Sequence, residues 1–235
     1  MTFGILDHLY VVLTAILGPP IAVWAYRRMR ARLAAGEAGV RAHFYRVTIG
    51  SQLLGVALAL GLWAWSDRPR QGLVSLDWIR PGWWTVLAWG AVLLACGLLI
   101  AQVTAVRGNE AGLSTLRQQM APVEGLLPRT PGELKLFLAV ALGAGICEEL
   151  VSRGYLLAYF DSLVGRAGAV VASTVLFGLD HAYQGAAGVV KTGAWGLAYA
   201  GAYAATGSLL APILLHFTLD AVSGMVAYLV LRPAT

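Results

Sequence analysis

The chain has 235 residues, 58% of them apolar and 12% charged, and its 17 Lys and Arg against 12 Asp and Glu give a formal net charge of +5. Soluble domains carry roughly a quarter of their residues as charges, so half that share, with repeated apolar runs of about 20 residues, excludes a water-soluble globule and indicates an all-α polytopic membrane protein. The excess charge is mostly arginine in the loops, which reports topology and lipid headgroups and argues against a nucleic-acid partner.

About seven spans (six to eight with soft edges) are expected, at residues 9–26, 47–65, 84–106, 136–160, 166–183, 188–205 and 209–231, bundled around a central polar cavity. No positive charge precedes the run from Leu9 to Tyr26, so it reads as an anchor and not a cleaved leader. Pro19-Pro20 should kink it, because proline supplies no backbone N–H. The loop 27–46 holds Arg27, Arg28, Arg30, Arg32, Arg41 and Arg46 against a lone Glu37, so it is expected on the cytoplasmic side. Alternation then puts the N-terminus out and the C-terminus in, leaves Arg68, Arg70, Arg80 and Arg166 outside, and sets Trp78, Trp83 and Trp84 in an outer aromatic belt.

Three regions follow: 1–108, transmembrane helices without a motif; 109–129, a cytoplasmic loop; and 130–235, a helical core rich in polar motifs. In the loop, Ala111, Leu113, Leu116 and Met120 suggest a short interfacial helix. Thr130-Pro131-Gly132-Glu133 is a capping box with proline at the first helical position, and it marks where the fourth helix starts. Cys96 and Cys147 fall inside apolar spans and read as small buried fillers. His8 and His43, near span edges, read as interfacial, and Tyr155, Tyr159 and Tyr183 as core or interfacial aromatics.

The fourth span contains ICEELVSRGY, residues 146–155, with two adjacent carboxylates and an arginine in hydrocarbon. Glu148 lies 13 residues from Lys135 and 13 from Asp161, roughly 20 Å each way at the α-helical rise, so it is expected near the midplane. Charges at that depth face the bundle interior and mark function. Glu149 and Arg153 are spaced i,i+4 and can pair, while Glu148 points about 100° away with no local partner. Two other helices bring polar groups to the same depth. His181 lies 15 residues past Arg166, and the tight turn at 162–165 makes the fourth and fifth helices antiparallel neighbours. On the last span His216 and Asp220 share a face at i,i+4, with Asp220 13 residues from Gly207 and 12 from Arg232. Glu148, His181, His216 and Asp220 are therefore expected to line one cavity.

Glu-Glu-x-x-x-Arg (148, 149, 153), Phe-x-x-x-His (177, 181) and His-x-x-x-Asp (216, 220) resemble the three motifs of the CAAX-protease and bacteriocin-processing family (CPBP, or Abi), which contains the Ras-converting type CAAX prenyl endopeptidases. The resemblance covers residues 130–235. It implies an intramembrane endopeptidase in which Glu148 and His181 hold and deprotonate a water, chemistry suited to a carboxylate facing a neutral imidazole. Glu149, Arg153 and Phe177 would support them, and His216 with residue 220 would stabilise the oxyanion. CAAX-cleaving members often carry Asn at the last position. Ionised Asp220 cannot donate a hydrogen bond, so it is protonated, orients His216, or helps bind a metal. Glu148, His181, His216 and Asp220 are a plausible set for zinc or another divalent ion, although the glutamate/histidine mechanism requires no cofactor.

The expected partners are the lipid bilayer and a peptide or membrane-protein substrate, and the expected location is the inner (cytoplasmic) membrane of a high-GC bacterium, where prenylated substrates are not anticipated. Two alternatives stand beside the protease. One is a non-catalytic peptide-binding, immunity or scaffold relative, which should show decay of the site residues. The other is a proton-coupled transporter, which should show internal repeats and broken helices.

Overall fold

The computed structural model describes residues 2–69, 71–74, 82–106, 116–118 and 120–231, and these are helical with no strand among them. Seven long elements run in chain order: α1 (Ile5–Ala34), α2 (Val40–Trp65), α3 (Trp83–Val106), α4 (Pro131–Gly143), α5 (Leu157–Asp180), α6 (Ala186–Thr206) and α7 (Leu210–Leu231). α1, α2, α3 and α7 are long and apolar enough to cross a membrane by themselves. The helices built from the expected spans 136–160, 166–183 and 188–205 carry the polar groups and glycines that lower their hydropathy. The protein is an all-α multi-pass membrane bundle.

The centre of the bundle is α7. Of its most apolar window 44% is buried, against 11–17% for α1, α2 and α3. α3 packs along α7, α4 lies between α2 and α7, and α6 packs on α5, α7 and α3. Leu53, Leu54, Leu87 and Leu94 remain exposed on α2 and α3, as expected of surfaces that meet lipid.

Several local devices follow from the sequence. Thr130 Oγ1 accepts from the Glu133 N–H at 3.2 Å, and Glu133 Oε2 accepts from the N–H groups of Arg129 and Thr130 at 2.8 and 3.3 Å, so the expected capping box starts α4. Leu13–Leu17 form a π turn directly ahead of Pro19-Pro20, where the missing proline N–H groups leave the α ladder incomplete. α1 extends to Ala34, so much of the arginine-rich stretch read as loop is helix. At Gly165 the backbone takes φ 73° and ψ 170°, a conformation open to glycine, and the chain folds back so that Ala169 packs among Leu150, Leu157 and Phe160. Ala111, Leu113 and Trp78 lie outside the described residues. Leu116 and Met120 pack against Val222, Val226 and Val230 of α7. Trp83 and Trp84 are exposed and stacked. Cys147 is buried and Cys96 half-buried, both as free thiols.

One buried cluster went unanticipated. Asp7, at the start of α1, accepts from Arg68 at 2.8 and 2.6 Å and also from the Tyr155 hydroxyl, and Asp7 and Arg68 are only 3% and 8% exposed. The Arg68 guanidinium lies 4.2 Å over the Phe3 ring, and the His8 imidazole meets the Tyr159 hydroxyl at 2.7 Å. Tyr155 and Tyr159, just before and within the first turn of α5, are thus the points at which the chain after α4 grips α1. Arg68→Ala should lower stability by about 3–5 kcal/mol, because it strands a buried carboxylate. The double change Asp7→Asn with Arg68→Met should recover most of that loss in thermal unfolding of the detergent-solubilised protein.

Candidate active site

Between α4 and α5 the helix widens into two successive π turns, Ala144–Glu148 and Leu150–Leu156. Such insertions are uncommon and concentrate at functional sites. Here they carry Glu148 and Arg153 of the Glu-Glu-x-x-x-Arg motif, with Glu149 at the junction between them. Glu148 turns toward a cavity of about 240 Å³, and Glu149 turns into the protein with no exposed surface. Two neighbouring residues of one chemical type therefore occupy opposite environments.

Glu149 Oε1 accepts from Arg153 Nη1 at 3.0 Å, which bears out the i,i+4 pairing. It also lies 2.9 Å from His216 Nδ1, a contact that the helical-wheel reading did not foresee. Arg153 spends its other terminal nitrogen on the Gly196 carbonyl of α6 at 2.7 Å, and its guanidinium lies 4.4 Å over the Phe177 ring. The pair thus ties the π segment to α5, α6 and α7.

The two histidines are held differently. His181 stands at the C-terminal cap of α5, where its Nδ1–H donates to the Phe177 carbonyl at 2.8 Å. That bond fixes the tautomer and leaves Nε2 for the cavity, which His181 lines. His216 is 4% exposed and stacks on Tyr199 with ring centroids 4.7 Å apart and planes 17° apart. Its Nδ1 faces Glu149, and its Nε2 stands 3.5 Å from Asp220 Oδ2. A protonated His216 ring would have an acceptor carboxylate on each side. Phe177 contacts both imidazoles, at 5.0 Å from His181 and 5.7 Å from His216.

Glu148, His181, His216 and Asp220, which the sequence pattern brings to one depth, all line this one cavity. Asp180, next to His181, points instead at Gly18 of α1. Tyr199 and Gly196 of α6 and Gln52 of α2 also shape the site, and none of them belongs to a motif. Among the described residues no three His, Cys, Asp or Glu side chains are grouped to hold a metal, and both His216 nitrogens face carboxylates.

Residues 130–222 match the family model described as type II CAAX prenyl endopeptidase Rce1-like. Over these residues the chain is similar to the CAAX-protease (CPBP) family. The match takes in Glu148, Glu149, Arg153, Phe177, His181, His216 and Asp220, and leaves α1, α2 and α3 outside it. Comparisons with curated proteins and with solved structures find no match. A CAAX-type protease acts on a peptide substrate at the membrane, in keeping with a polar cavity inside an apolar bundle.

The two glutamates of this CAAX-protease motif should respond differently to substitution. Arg153→Ala leaves the Glu149 carboxylate buried without its partner and should lower stability by about 3–5 kcal/mol. Glu148→Gln, at a half-buried cavity position, should leave yield and melting temperature near wild type. Thermal unfolding of both variants checks this, and equal losses would mean that the two roles are misassigned.

Proposed function

We propose that the protein is an intramembrane endopeptidase that hydrolyses a peptide bond with a water activated by Glu148 and His181. The observation that carries this reading is the shared cavity, in which the Glu148 carboxylate and the uncommitted Nε2 of His181 both face the space a scissile bond would enter. The Glu148 carboxylate accepts a proton from the water as its oxygen attacks the carbonyl carbon, and His181 Nε2 orients that water. Negative charge then grows on the former carbonyl oxygen. His216, steadied by Glu149 and Asp220, supplies the compensating positive charge. Collapse of the tetrahedral intermediate breaks the C–N bond, and Glu148 returns its proton to the departing amine.

In this scheme Glu149, Arg153 and Phe177 keep His216 and His181 in place, and Asp220 orients His216. No step requires a metal. The substrate is a peptide or a membrane-anchored protein, and the cell membrane of a bacterium is the proposed location.

Glu148→Gln should abolish cleavage. Comparing membrane proteomes of wild-type and Glu148→Gln cells should reveal uncleaved precursors in the variant. Identical proteomes would instead favour a non-catalytic, peptide-binding role.

Asp220→Asn tests the metal-free scheme. An amide at residue 220 still packs beside His216 and can donate to an oxyanion, so cleavage should survive or improve and be indifferent to chelator. Loss of activity that returns on adding zinc or manganese would overturn the scheme.

A further inference from the structure

Gln52 lies on α2, outside the 130–222 family match, yet its side chain lines the cavity. Its Nε2 donates to Glu148 Oε1 at 3.2 Å and to the Val140 carbonyl at 3.5 Å. Both partners are acceptors, so the amide must turn its NH2 group toward them. The other half of the amide gains nothing, because Gln52 Oε1 is buried without a partner. It rests over Gly143, the last residue of α4 before the π turns, where a Cβ would overlap it.

A buried amide with an unsatisfied oxygen is destabilising. An apolar side chain at residue 52 would serve packing between α2 and α4 better. What an amide alone supplies is the N–H group on Glu148, and the bare Cα of Gly143 supplies the room for it.

We propose that Gln52 is a positioning residue for Glu148: it anchors one carboxylate oxygen so that the other faces the attacking water. The inference rests on the reading of Glu148 as the base. It makes the N-terminal helices contributors to the catalytic geometry as well as membrane anchors.

The test measures kcat and KM of the full chain in lipid nanodiscs. The probes are internally quenched peptides with a CAAX-type C-terminus, farnesylated or unmodified, alongside thermal unfolding of each variant. Gln52→Leu should lower kcat by about tenfold or more, short of the 10²–10⁴-fold expected for losing a general base, with KM within about twofold and stability at or above wild type.

Gly143→Ala provides a second arm that leaves Gln52 chemically intact. Its Cβ displaces the amide, so kcat should fall, and combining it with Gln52→Leu should add no further loss. Wild-type kcat in Gln52→Leu, or losses confined to KM or tracking reduced stability, would overturn the proposal. An inactive Glu148→Gln beside a fully active Gln52→Leu sinks this inference alone. Cleavage that persists in Glu148→Gln removes the underlying reading and this inference with it.

Discussion

The Glu149–Arg153 pair has no exposed side-chain surface, and the cavity is organised around it. Charges in a low-dielectric interior persist only when closely paired and hydrogen-bonded. Three further contacts of this pair each draw in another helix. The second carboxylate contact recruits His216 from α7, the second guanidinium nitrogen recruits the Gly196 carbonyl from α6, and the cationic plane recruits Phe177 from α5. Both histidines rest on Phe177, one through its carbonyl and both through its ring. Moving the pair would shift every polar group in the cavity.

That arrangement explains how two adjacent glutamates acquire different tasks. Glu149 is consumed by structure, with full burial and two cationic or imidazole contacts. Glu148 is half-buried, faces the cavity, and among the described residues hydrogen-bonds only to the neutral amide of Gln52. A neutral partner orients a carboxylate without neutralising it, which leaves it able to take a proton.

Much of this was legible before any coordinates. That Glu148, His181, His216 and Asp220 would line one cavity followed from counting residues to the nearest charged or turn position, because a helix rises by a fixed amount per residue. The capping box and the Glu149–Arg153 pairing are local and needed only spacing. The contact between Glu149 and His216 was not legible, because the reading assumed regular 3.6-residue turns through 144–156. The π turns that redirect these side chains have no sequence signature of their own. Gln52 did leave a signal, as an amide beside Thr48 and Ser51 in an otherwise apolar span, but without a charge it fell below the features that mark intramembrane function. Asp7 and Arg68 sit at the flanks of separate spans, where charges ordinarily meet water, so nothing local announced their burial.

The Asp7 cluster has a consequence for how the chain is made. Arg68 follows Asp7 by 61 positions and Tyr155 follows it by 148. During translation the acid can meet its arginine once the first two helices are in the bilayer, but its third partner arrives only with the motif-bearing helix. Glu148 likewise follows Gln52 by 96 positions. The early helices therefore wait as a preformed platform, and arrival of the later ones seals the cluster and completes the cavity together. A half-synthesised chain holds neither the sealed cluster nor the complete cavity.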